Sequence, residues 1–66
     1  MAVSKEIEAM PEYSAAYNDG LRALKGREFS VYSAEVNNGA LSITFETFKD
    51  GAPYYVVAAK RIGGHA

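Results

Sequence analysis

Ala34-Glu35-Val36-Asn37-Asn38-Gly39-Ala40-Leu41-Ser42-Ile43-Thr44-Phe45-Glu46-Thr47-Phe48-Lys49-Asp50-Gly51 decides the fold. Asn38-Gly39 and Asp50-Gly51 are strong hairpin signals, because Asn, Asp and Gly supply the positive φ of a two-residue turn at little cost. Between them Leu41, Ile43 and Phe45 alternate with Ser42, Thr44 and Glu46, the period of a strand with one buried face. A strand between two hairpin turns is paired on both sides. The stretch from Arg27 to Ile62 therefore reads as a three-stranded antiparallel meander, with strands at about 28–37, 40–49 and 53–62.

Turn length fixes register. A two-residue turn at Asn38-Gly39 sets Asn37 opposite Ala40, and from there Val36 opposite Leu41, Ala34 opposite Ile43 and Tyr32 opposite Phe45. A two-residue turn at Asp50-Gly51 sets Thr47 opposite Tyr54, Phe45 opposite Val56 and Ile43 opposite Ala58. A four-residue loop through Pro53 would shift these pairs but keep their faces. A three-residue loop with a bulge would flip the third strand. One face then gathers Tyr32, Ala34, Val36, Leu41, Ile43, Phe45, Tyr54, Val56 and Ala58. The other is polar near the first turn, with Ser33, Glu35, Ser42 and Thr44. It is apolar at the far end, with Phe29, Val31, Phe48, Tyr55 and Val57. Phe29 faces Phe48 and Tyr55 faces Glu46 in this register.

Upstream, Ser4 suits an N-cap and Glu6 a first helical turn, so 4–9 reads as a short helical turn. Pro11 interrupts it, then serves the first turn of a second helix, where a missing N–H costs little. Tyr13, Ala16, Tyr17, Gly20, Leu21 and Leu24 follow the spacing of one helical face. Arg22 and Lys25 complement its C-terminal end, and Gly26 suits the left-handed residue beyond it. Gly20 would cost roughly 0.5–1 kcal/mol against Ala in a helix interior. Asn18-Asp19-Gly20 is open to a turn, but Gly20 beside Ala16 on the apolar stripe favours an unbroken helix in close approach to another backbone. The fold class is α+β: an N-terminal helix, broken near Pro11, on a three-stranded meander, in one domain over 1–66 with a flexible tail at 63–66.

A chain of this size draws only about 3–5 kcal/mol from a single core, so self-association or partner binding is a natural source of stability. Seven basic against eight acidic residues exclude a strongly basic nucleic-acid binder and an acidic nucleic-acid mimic. Hydrophobic residues at 48% place the chain among globular proteins. No apolar run approaches the ~18 residues of a membrane span. The N-terminus lacks the basic-then-apolar layout of a signal peptide. The expected setting is cytoplasmic, with no membrane partner.

Chemistry-bearing constellations are sparse. Without cysteine there is no disulfide, thiolate site or Cys nucleophile. The one histidine, His65, lies in the Gly-rich tail, where nothing fixes its geometry. Glu35 and Glu46 share a sheet face but sit several residues apart with no partner base, and Ser33, Ser42 and Thr44 have no activating group in reach. No Gly-rich phosphate loop precedes a helix. The reading is non-enzymatic, with no cofactor and no metal.

Binding is the remaining class. Phe29, Val31, Phe48, Tyr55 and Val57 form an aromatic-rich patch of the kind found at interface centres, with Arg27, Lys60 and Arg61 as a charged rim. The partner would be a larger protein or complex, or a second copy in a homodimer. The alternative is a small RNA- or DNA-binding protein, stacking bases on the sheet aromatics and holding phosphates with Arg22, Lys25, Arg27, Lys60 and Arg61.

Tyr17-Asn18-Asp19-Gly20-Leu21-Arg22-Ala23-Leu24-Lys25-Gly26 resembles the Tyr-x-x-Gly-x-x-Ala-x-x-Gly helix of ribosome modulation factors. It covers ten residues; the strand-rich remainder departs from that family, and no function is carried over. In general style the chain resembles accessory proteins of bacteriophages and mobile elements, anti-CRISPR proteins among them. That style implies an inhibitor that occludes a surface of a larger protein.

Overall fold

The computed structural model describes residues 3–63. In chain order they form α1 (Lys5–Glu8), α2 (Pro11–Leu24), β1 (Ser30–Asn37), β2 (Ala40–Lys49) and β3 (Ala52–Arg61). The sheet is antiparallel throughout, in the order β1-β2-β3, and the architecture is the expected α+β arrangement. Among the described residues, no helix is long and apolar enough to cross a membrane.

Both turns close as their residues require. Asn38 and Gly39 have φ of 53° and 75°, and Asp50 and Gly51 have φ of 54° and 79°. This is the mirror-image turn whose twist matches the flanking strands. Through the second turn the register is as predicted: Thr47 opposite Tyr54, Phe45 opposite Val56 and Ile43 opposite Ala58. Through the first it holds for Asn37–Ala40, Val36–Leu41 and Ala34–Ile43.

The helical segment also follows its chemistry. Ser4 Oγ accepts the Glu6 N–H, capping α1. Pro11 opens α2, which continues unbroken through Gly20. The left-handed exit begins one residue earlier than expected, at Lys25 (φ 56°), and Gly26 follows with φ 83°. Ala16, Gly20 and Leu24 are buried, and Tyr13 and Tyr17 pack against the core. Leu21, at the edge of the stripe, is exposed.

The core lies between α2 and one face of β2 and β3. It consists of Ala16, Leu24, Leu41, Ile43, Phe45 and Ala58. Thr47 continues that buried row, and its hydroxyl donates to the Glu28 carbonyl, so the one buried polar side chain among the described residues is satisfied. An ion pair closes the helix onto the sheet: Lys60 Nζ lies 2.7 Å from Asp19 Oδ2, and Arg22 meets the other oxygen of the same carboxylate. Ile62 N–H donates to the Gly39 carbonyl at 2.8 Å, and Gly63 N–H donates to Glu12 Oε2 at 3.1 Å. Gly63, assigned to a flexible tail from the sequence, is thus held. The rest of that tail, His65 included, lies outside the described residues.

Candidate interaction face

The sheet departs from the predicted register at one point, and that point shapes the candidate site. A β-bulge lies between Val31 and Ser33, so Val31, not Tyr32, stands opposite Phe45, and Ser30 opposite Glu46. The extra residue is Tyr32. A bulge inverts the side assignments of everything beyond it. Tyr32 leaves the helix-facing side, while Phe29 and Val31 join it. Phe29 is half-buried, its ring 5.6 Å from that of Phe45 and 6.0 Å from that of Tyr17, edge-on to both. The expected placement of Phe29 and Val31 on the second face, and of Phe29 opposite Phe48, is therefore overturned. The reason is physical: taking two apolar side chains into the core and releasing one tyrosine buries more apolar surface than the regular ladder would.

Tyr54 also departs from expectation. Its pairing opposite Thr47 is as predicted, but it lies past the cover of the helix and is exposed. Arg27 and Lys49 flank its ring, with their charged groups 6.0 and 5.4 Å from its centroid. Such cation–π contacts are worth about 0.5–1 kcal/mol at exposed sites.

Among the described residues, nothing covers the second face. Ile7 and Met10, from the N-terminal segment that could have covered it, pack against the core instead. Register gives the rows of the open face: Glu35–Ser42–Ala59, then Ser33–Thr44–Val57, then Ser30–Glu46–Tyr55, then Phe48–Pro53. Tyr32, Phe48, Tyr55 and Val57 are 52%, 60%, 48% and 64% exposed. Scattered exposed apolar residues are ordinary, but four large ones on one face form a patch.

The patch has internal order. The rings of Tyr32 and Tyr55 meet edge-on over the central strand, 5.2 Å between centroids. The Tyr55 hydroxyl donates to Glu46 Oε2 at 3.3 Å. Loss of solvation on the sheet, then the charge and hydrogen bond of Glu46, and then Tyr32 hold the Tyr55 phenol above its ordinary pKa. Sequence reasoning found Phe48, Tyr55 and Val57 but missed Tyr32, because parity placed it in the core.

The basic residues assigned to the rim separate. Lys60 is on the helix side and engaged by Asp19, as is Arg22 of α2. Arg61 shares the open face but pairs with Ala40, at the opposite end from Phe48. Arg27 is turned to the Phe48 carbonyl (3.4 Å) and the Tyr54 ring. Among the described residues, no group of three or more His, Asp or Glu side chains is placed to hold a metal ion.

The fold and this face define the class: a small α+β domain with a helix on one side of a meander and an open aromatic face on the other. Comparison with protein-family models, curated proteins and solved structures returned no match.

Proposed function

We propose that this protein is a non-enzymatic binding module of the inhibitor type, docking a larger protein through the open sheet face and occluding the surface it covers. The observation that carries this reading is the exposed group Tyr32, Phe48, Tyr55 and Val57, opposite a core already closed by α2. Aromatic residues are enriched at the centres of protein interfaces, where their burial contributes most of the affinity. The proposed setting is the cytoplasm, and the proposed type is a bacteriophage or mobile-element accessory protein. The nucleic-acid alternative draws less support. Phosphate binding needs clustered free cations, whereas Arg22 and Lys60 share Asp19 and the aromatic patch has Glu46 in its midst.

Two exposed-face variants test the reading. Val57→Asp and Tyr55→Ala should keep the wild-type melting transition within about 1 kcal/mol, as exposed substitutions do. Both should lose the proteins that wild type retains from a lysate of its source cells, or shift a homodimer to monomer by native mass. Unfolding of Tyr55→Ala, or undiminished retention by both variants, would refute it.

A further inference from the structure

The carboxylate of Glu46 stands where two open grooves of the sheet face meet. One, of about 220 Å³, is lined by Glu28, Phe29, Ser30, Glu46 and Phe48. The other, of about 310 Å³, is lined by Ser30, Val31, Tyr32, Ser33 and Glu46. Glu46 is half-buried between Ser30 and Tyr55 in the ladder. Among the described residues it takes one side-chain hydrogen bond, from Tyr55 on Oε2, and is in no ion pair. The nearby basic residue Arg27 is committed to the Phe48 carbonyl and the Tyr54 ring. The hydrogen bond of Glu46 with Tyr55 is exposed, and Glu46 has no cation of its own among the described residues, so this carboxylate, beside aromatic rings, is open to a cation brought by a partner.

We infer that the Glu46 grooves take an arginine side chain presented by the partner protein, its guanidinium on the carboxylate and against the aromatic rings of Tyr32 or Phe48. The chemistry is complementary on each count. A guanidinium is planar and stacks on aromatic faces while donating a charge-assisted hydrogen bond to the free carboxylate oxygen. The ring faces of tyrosine and phenylalanine carry negative quadrupole density that favours a cation above them. The Glu28 carboxylate on the same groove adds to the attraction. This inference rests on the docking reading above and names the chemistry of its partner.

The test uses the full chain, labelled with nitrogen-15 and titrated with the capped peptide Gly-Arg-Gly and its uncharged citrulline counterpart. The arginine peptide should move the amide signals of Ser30, Tyr32, Glu46 and Tyr55. The citrulline peptide, or the arginine peptide on Glu46→Gln, should bind at least about tenfold more weakly, the loss of one charge-assisted contact. Glu46→Gln keeps the side-chain shape on an open face, and its unchanged signals in α2 would certify the fold. Equal responses to both peptides, or an undiminished response in Glu46→Gln, would overturn the inference, as would no response at all. The two readings fail separately. Natural-partner binding lost in Val57→Asp but intact in Glu46→Gln would sink the arginine site and keep the docking face. A specific arginine response with partner binding indifferent to Val57→Asp would uphold the site and sink the face.

Discussion

Phe45 packs directly against Gly20: a methyl group built on Gly20 would overlap Phe45 Cε1 and Cζ. The absence of a side chain at Gly20 is what lets α2 settle on the central strand. The ring cannot move aside freely, because Tyr17 and Phe29 hold it edge-on, each with its centroid 5.6 Å away. Gly20→Ala would gain about 1 kcal/mol of helix propensity. It would also overpack a filled core, at a typical cost of about 1–3 kcal/mol. The clash should win, giving a net loss of up to about 2 kcal/mol by urea denaturation. In a Phe45→Leu background the cost of Gly20→Ala should shrink or reverse, and a double-mutant cycle would measure the coupling. Additive costs would mean that the two residues do not limit each other.

Lys25 carries the left-handed conformation at the end of α2, φ 56° and ψ 43°, with an exposed side chain. A residue with a Cβ pays about 1–2 kcal/mol in that region, and glycine avoids most of it. Lys25→Gly should therefore stabilise the chain by about 0.5–1 kcal/mol, after the offsetting loss of unfolded-state restriction. The expected readout is a melting temperature a few degrees higher, on the scale of about 4–8 °C per kcal/mol for domains of this size. A lower melting temperature would show that the Lys25 side chain contributes more at the helix end than its backbone costs.

Asp19 is the hinge of electrostatics between helix and sheet. The hydrogen bond from Lys60 is the leading cause that holds its carboxyl below the ordinary value, with the charges of Lys60 and Arg22 adding to it. A carboxyl depressed in the folded state contributes stability above its ordinary value, and that contribution disappears as pH falls toward the folded value. Wild type should thus exceed Asp19→Asn in melting temperature at neutral pH, and the gap should close on acidification through the carboxylate range. The pair is solvent-exposed, so the gap should also narrow in high salt. A gap independent of pH would assign the difference to something other than charge.

How much of this was legible follows from which residues carried redundant signals. Asn38-Gly39 and Asp50-Gly51 state the turn type and its length, and the alternation of β2 states the face, so two independent signals agree on register. Gly20 was legible too, since a glycine on an apolar helical stripe has few uses other than close approach. The bulge was not. Phe29, Val31, Tyr32 and Ala34 are apolar on both parities, so shifting the ladder by one residue at Tyr32 leaves an apolar set on either side. Local pattern is degenerate there, and the choice is made by packing: Tyr17, Phe29 and Phe45 form an edge-on cluster that the regular ladder would forgo. One hint was available. The regular register left Phe29, Val31, Phe48, Tyr55 and Val57 all uncovered by the single helix, and a bulge is a cheap way to recover two of them.

That degeneracy makes the bulge testable by deletion. Removing Tyr32 joins Val31 directly to Ser33, and the observed partners Phe45 and Thr44 are already consecutive on β2. The shortened chain can therefore form a regular ladder with Phe29 and Val31 still on the core side. Its loss would be confined to a tyrosine that is 52% exposed. Stability should change by no more than about 1 kcal/mol, within the range of substitutions away from the core. The open face should change in a specific way. Tyr55 would lose its edge-on partner, so its phenol should titrate closer to the ordinary value, with the upward pull of Glu46 remaining. Ring-carbon NMR of Tyr55 as pH rises past 10 reads this directly. If Tyr32 was kept for docking rather than for folding, the deletion should also weaken partner binding as Tyr55→Ala does. An unfolded deletion mutant would show instead that the extra residue supplies a twist that the sheet requires.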